Sequence, residues 1–189
     1  MSEAATIDES VLTPEIQALI GAEGEKVEAG FDWGIEREGL RIFTNAIMDP
    51  DPRYFDDEFA KTTRYGGVIA PPIYVTYLGR RSAPGSEDLV TKGFRDNPNS
   101  DGIGGVKVTR GGLPPVVTQL KRVLNAGNEI EVRQYPRLGD RIFSQSRYAR
   151  IRERITKEGE RMLIITTETE FTNQDGAVLC LVRASQIRR

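Results

Sequence analysis

A carboxylate and a phenol stand close together in one proline-punctuated stretch of this chain, Asp49-Pro50-Asp51-Pro52-Arg53-Tyr54, which runs on into Phe55-Asp56-Asp57-Glu58. Proton transfer to or from a bound molecule needs an acid and a base, and donors to hold developing charge. The usual base at neutral pH is an imidazole, yet none of the 189 residues is histidine. Tyrosine, with a reference pKa of about 10, is a poor base unless strongly perturbed, and a carboxylate of ordinary pKa is a weak one when alone. The bland reading of the pair is structural. Asp49 then serves as a cap or turn residue, and Tyr54 as a packed ring with a hydrogen-bonded hydroxyl. Further on, Gly66-Gly67-Val68-Ile69-Ala70-Pro71-Pro72 offers glycines that let backbone approach a ligand closely. It ends in two prolines, which carry no N–H to donate.

The elements that must position these residues follow from periodicity and punctuation. Thr13 and Pro14 make a helix start, with Thr13 at the N-cap and Pro14 at the first helical position, and the helix stops at Gly21. Glu25 to Trp33 can form a first strand. Leu40, Phe43 and Ile47 recur at helical spacing, so Glu36 to Ile47 is expected to be an amphipathic helix. The Asp-Pro-Asp-Pro run must end it. A short helix is expected at Asp56 to Thr62. The apolar run from Ile69 to Leu78, including Tyr74, is read as a buried helix beginning near Pro71. After a Gly/Pro-rich stretch at about 82–118, four strands are expected: Val123 to Pro136, Arg141 to Ile155, Arg161 to Phe171 and Ala177 to Ile187. Asp175-Gly176 is a hairpin signal, and short turns imply an antiparallel meander. Residues 1–11 read as a loose polar arm and residues 12–189 as one domain, with no internal repeat.

Bulk properties narrow the partners. A net charge of -2 predicts no general attraction to nucleic acid or to anionic lipid. The segment from Arg133 to Arg189 is rich in arginine, and is read as a solvated sheet face in preference to a binding patch. The single cysteine, Cys180, excludes an internal disulfide and a cysteine-based zinc site, and its apolar neighbours mark it as a buried small hydrophobe. The N-terminus lacks the features of a signal peptide, and no apolar run approaches the roughly 20 residues that span a bilayer. The expected compartment is the cytoplasm.

The string from Asp49 to Pro72, together with Gly139-Asp140 and Asn173-Gln174-Asp175-Gly176, resembles the signature of MaoC-like hydratases and dehydratases. The likeness is greatest to the N-terminal half of their two-part members. The resemblance implies an α+β single hot-dog fold, a curved antiparallel sheet wrapped around one buried helix. It also implies chemistry on acyl thioesters of coenzyme A or a carrier protein, with no other cofactor and no metal. Family members read Asp-x-Asn-Pro-x-His, and here Asp49 and Tyr54 occupy the dyad positions. They commonly read Ile-Ala-His-Gly where this chain has Ile69-Ala70-Pro71-Pro72. The substrate-binding positions implied are Gly66, Gly67, Val68, Ile69, Ala70, Pro72 and Tyr74. With both catalytic features altered, the expected role is a supporting subunit of an enoyl-thioester hydratase or 3-hydroxyacyl-thioester dehydratase. It would pair with a second MaoC-like hot-dog chain that carries the histidine, or otherwise form a homodimer. The alternatives are an enzyme self-sufficient through Asp49 and Tyr54, and a thioester-binding module without catalysis.

Overall fold

Strands rich in β-branched and aromatic residues carry the architecture. β1 (Val27–Ala29), β2 (Val123–Val132), β3 (Ile142–Ile155), β4 (Arg161–Thr172) and β5 (Val178–Arg188) form one antiparallel sheet in the order β1-β3-β4-β5-β2. The structure, a computed structural model, describes residues 9–29, 33–79, 85, 87, 89–99 and 112–189. At the Asn173–Gly176 turn, the Asn173 side-chain oxygen accepts from the Asp175 and Ala177 N–H groups at 3.1 and 2.9 Å. That side chain does locally what a turn backbone cannot do alone. The long strands start within one residue of the sequence expectation. β2 ends at Val132, four residues earlier than Pro136, where the Arg133 and Gln134 N–H groups converge on the Leu179 carbonyl.

Alternation along a strand sends neighbouring residues to opposite faces, and one bulge keeps the pattern in phase. Tyr148 pairs with Thr167 and Arg150 with Thr166, so Ala149 is an extra residue in β3. Without it, Ile151 and the arginines after it would exchange faces. With it, Tyr148, Ile151, Leu163 and Ile165 share an apolar cluster with Ile16 from α1 (Pro14–Ala18) and with Leu113 and Leu120. On the same inner face, a second cluster gathers Ile142, Phe171 and Leu179 around Tyr74, Val75 and Leu78 of α4 (Tyr74–Leu78). This is the hot-dog arrangement expected, with the sheet curved around a short buried helix.

The helix itself is shorter than its apolar run. It begins at Tyr74, not near Pro71, because a residue preceding proline is driven out of the helical region; Ala70 and Pro71 both precede one. Ile69 instead forms a strand-like bridge to Arg137, and the Ala70 N–H donates to the Pro136 carbonyl at 2.8 Å. Nor is α4 buried all round. Tyr74, Val75 and Leu78 are enclosed, while Ile73 is 43% exposed and Tyr77 39%.

The remaining helices bracket the motif. α2 (Arg37–Ala46) and α3 (Asp57–Thr62) match the expected segments, with Asp56 capping α3 through the Phe59 N–H at 3.0 Å. The first strand is confined to Val27–Ala29, with Gly30 to Asp32 outside the described residues. At the N-terminus, Ser10 donates to Glu153 at 2.6 Å and Val11 is buried, so this end of the expected arm is docked on β3. Residues 1–8 lie outside the described residues. Within the Gly/Pro-rich stretch there is a helix, α5 (Leu89–Asp96), held on its surface by a Lys92–Asp96 ion pair. At its far end Pro114 accepts from the Tyr148 hydroxyl at 2.8 Å.

Candidate active site

The sequence folds locally so that α2 delivers Asp49 in a fixed direction. The Asp49 N–H reaches back to the Thr44 carbonyl at 3.0 Å and the Met48 N–H to Asn45 at 3.1 Å. This six-to-one and five-to-two pair is a Schellman stop. It requires a left-handed residue, and Met48 fills the place with φ 55° where glycine is usual. The Asp49 carboxylate then accepts from the Asp51 N–H at 3.2 Å, and Asp51 from the Arg53 N–H at 3.0 Å. These two consecutive Asx turns wind the chain into a 3-10 turn over Pro52–Tyr54.

Tyr54 emerges from that turn almost wholly enclosed, 7% exposed. Burial, and then the negative charges of Asp49 and Asp51, push its phenol up to about 12. A phenol in that range stays protonated at neutral pH, so its hydroxyl donates hydrogen bonds and does not act as a base. Arg53 is locked onto Asp51 by side-chain hydrogen bonds, which hold the Asp51 carboxyl below the ordinary carboxylate range. The same guanidinium lies 5.9 Å from the Tyr54 ring centre and 6.0 Å from that of Tyr65. Tyr65 in turn packs at 5.1 Å on Tyr135.

The two halves of the motif meet through backbone. The Ile69 N–H donates to the Arg53 carbonyl at 3.2 Å, and the Leu138 N–H to Val68 at 3.3 Å. Val68, Ile69, Ala70 and Tyr74 are buried, Asp49, Gly67 and Pro72 are half-buried, and Gly66 is exposed. Gly66 has φ 69°, and a Cβ at Gly66 or Gly67 would meet nothing within 4 Å, so this turn borders open space. Tyr74 points the other way, toward α2. Its ring meets Phe43 edge-on at 4.9 Å, and its hydroxyl lies where a Cβ on Gly39 would come within 2.8 Å. Tyr74 therefore belongs to the packing between α4 and α2 as much as to any substrate wall. Arg53, Tyr65 and Tyr135 were not singled out from sequence. Arg53 could have been, lying inside the motif, whereas Tyr135 is brought in only by the bridge between Ile69 and Arg137.

The site thus lies on a single hot-dog layer, with its helix-entry turn placed against a proline-rich Asp loop. The chain belongs to the MaoC-like dehydratases: the family described as "FAS1-like, dehydratase domain region" matches residues 18–182. A UPF0336 protein of Saccharopolyspora erythraea is 23% identical over 93% of this chain and 92% of its own length. Another UPF0336 protein, from Streptomyces avermitilis, is 49% identical, but the match spans 26% of this chain and 33% of that one. Among solved structures, the ChsH1-ChsH2 complex of Mycobacterium tuberculosis superposes with TM-score 0.63 at 16% identity, covering 88% of each chain. The MaoC-like dehydratase of Rhodospirillum rubrum gives TM-score 0.55 at 20% identity, covering 90% of this chain and 93% of that one. At these identities the structures establish a shared fold.

Proposed function

We propose that this chain is the supporting hot-dog subunit of an enoyl-thioester hydratase or 3-hydroxyacyl-thioester dehydratase, paired with a second hot-dog chain that supplies the histidine. The observation that carries the reading is Tyr54, a buried, protonated phenol at the position where the family places its base. Water cannot be deprotonated by a group that itself holds its proton through neutral pH. The Asp49 carboxylate, meanwhile, is engaged by the Asp51 N–H. What this side of the site offers an acyl thioester is shape: the buried Val68, Ile69 and Ala70, the open turn at Gly66 and Gly67, and Pro72. That the structurally similar ChsH1-ChsH2 is a complex of two different chains supports a heteromeric assembly here.

The test is turnover of a crotonyl-type thioester by the chain alone and together with a histidine-bearing MaoC-like partner. The chain alone should be inactive and the pair active. Tyr54→Phe in the pair should leave turnover within a few-fold, since a hydroxyl removed from a packed ring costs about 1 kcal/mol. A loss of about 100-fold or more, the scale of a general acid or base, with an unchanged melting temperature would overturn the reading and assign the chemistry to Asp49 and Tyr54.

A further inference from the structure

The face of the sheet turned away from α4 carries an arginine pair that the dehydratase reading leaves unused. The Ala149 bulge sends Arg150 and Arg152 outward while Ile151 between them enters the inner cluster. Both are exposed, and neither has an ion-pair or hydrogen-bond partner among the described residues. The other charged residues lining the hollow, Glu129 and Arg183, are committed to ion pairs. Glu168 accepts from Arg147 at 2.6 Å and from Arg183 at 2.6 Å. Arg183 also contacts Glu129 at 3.2 Å and Glu131 at 3.1 Å.

The unpaired guanidiniums border a hollow of about 490 Å³. The hollow exists because its middle is lined by small residues, Ala126, Gly127, Ala149, Thr166 and Ser185, between long arginine side chains. A second bulge, where Gly127 follows Asn125 in the pairing of β2 with β5, lies at the opposite rim. Bulges that re-aim side chains concentrate next to binding sites. Across the hollow, the Thr166 and Ser185 hydroxyls touch at 2.9 Å, and Asn128 adds an amide. The lining has neither an aromatic ring to stack on a base nor a large apolar side chain to hold an acyl chain. What it recognises is negative charge, and guanidiniums bind phosphate oxygens bidentately.

We infer that this hollow is an anion site for a phosphate-bearing ligand, gripped by Arg150 and Arg152 on the sheet face opposite the acyl-thioester site. Two uncompensated positive charges match one phosphate dianion, with the hydroxyls of Thr166 and Ser185 as supplementary donors. Glu129 is the carboxylate on the rim, and its charge opposes the ligand.

Isothermal titration of the full chain with inorganic pyrophosphate, at ionic strength matched with sodium chloride, reads the site directly. Wild type should bind saturably with one site per chain. Arg150→Gln and Arg152→Gln should each weaken binding about 10-fold or more, the scale of losing one charge-assisted contact. Since both side chains are exposed and unpaired, their melting temperatures should stay at the wild-type value. Glu129→Gln should tighten binding several-fold, a gain that a purely structural role for this rim would not produce. Absence of saturable heat in wild type, or equal affinity in the double arginine variant, would overturn the site. Displacement of pyrophosphate by coenzyme A and not by pantetheine would uphold it and identify the thioester carrier's own phosphates as its source. Retention against coenzyme A would uphold it for a separate phosphate ester.

Discussion

On the inner side of β4, Leu163, Ile165 and Phe171 disappear into apolar clusters beneath α1 and α4, whereas on the outer side Thr166 and Glu168 of the same strand lie beside Arg147, Arg150 and Arg183. One face is held by shape, and the other carries charge, paired around Glu168 and unpaired at Arg150 and Arg152. Close packing makes each inner residue specific to its place, because a missing methylene leaves a void that neighbours fill only partly. Charge pairing on an exposed face is worth little per pair, so that face tolerates change. The outer face can host a ligand site without risking the fold, and the inner face can lose its catalytic groups while keeping its core.

The contrast is testable in descending order of effect. Leu78→Ala, at a fully buried position of α4, should cost about 2–5 kcal/mol in urea unfolding, as deletions from tight cores do. A cost under about 1 kcal/mol would show that the inner face is loosely packed and void the distinction. Gly39→Ala should lose about 1–2 kcal/mol despite the roughly 1 kcal/mol of helix propensity that alanine gains. The new Cβ would sit 2.8 Å from the enclosed Tyr74 hydroxyl. Adding Tyr74→Phe should recover the loss, and a double variant no better than Gly39→Ala would locate the clash elsewhere.

Glu168→Gln should cost least, about 1 kcal/mol, and its signature is pH dependence. Hydrogen bonds from Arg147 and then Arg183 hold the Glu168 carboxyl below its ordinary value even though it is only 8% exposed. A carboxyl depressed on folding contributes stability above its unfolded pKa of about 4.3, and that stability is lost as pH falls through the folded value. Wild type should therefore lose more stability than the variant as unfolding curves are taken from pH 6 to pH 3. Parallel curves would mean that the Arg147–Glu168–Arg183 cluster carries no net stabilisation.

Much of the sheet was legible because its signals are local. Asp175-Gly176 fixed a turn, and the arginine alternation from Arg150 to Arg154 fixed a face once the bulge was known. The bulge was not legible, since nothing in Tyr148-Ala149-Arg150 marks an extra residue until Ile151 is seen to need the core. The helix at α4 was misjudged at its start because an apolar run has no period to separate buried helix from buried strand; Pro71 and Pro72 held the correction. For the site, the motif sets Asp49 and Tyr54 in one proline-punctuated segment, which the structure winds into consecutive Asx turns and a 3-10 turn. It could not reveal that Asx turns would occupy the carboxylates, or that Tyr65 would meet Arg53 with Tyr135 packed behind it, since those contacts depend on the assembled fold. The arginine-rich C-terminal segment was read as a solvated face. Arg147 and Arg183 are ion-paired on that face, while Arg150 and Arg152 are exposed on it without a partner among the described residues.

β2 pairs with β5 along one side only, and eight of its ten residues are exposed to solvent. For a chain of this kind the order of synthesis becomes part of its folding problem. A newly made copy of this chain offers a ten-residue strand edge, with which a second nascent copy can pair. The kink at Ala126 and the acidic Glu129 and Glu131 are the features on that strand that discourage such pairing. If a second hot-dog chain covers this edge, as proposed, matched supply of the two chains sets how much correctly assembled protein accumulates.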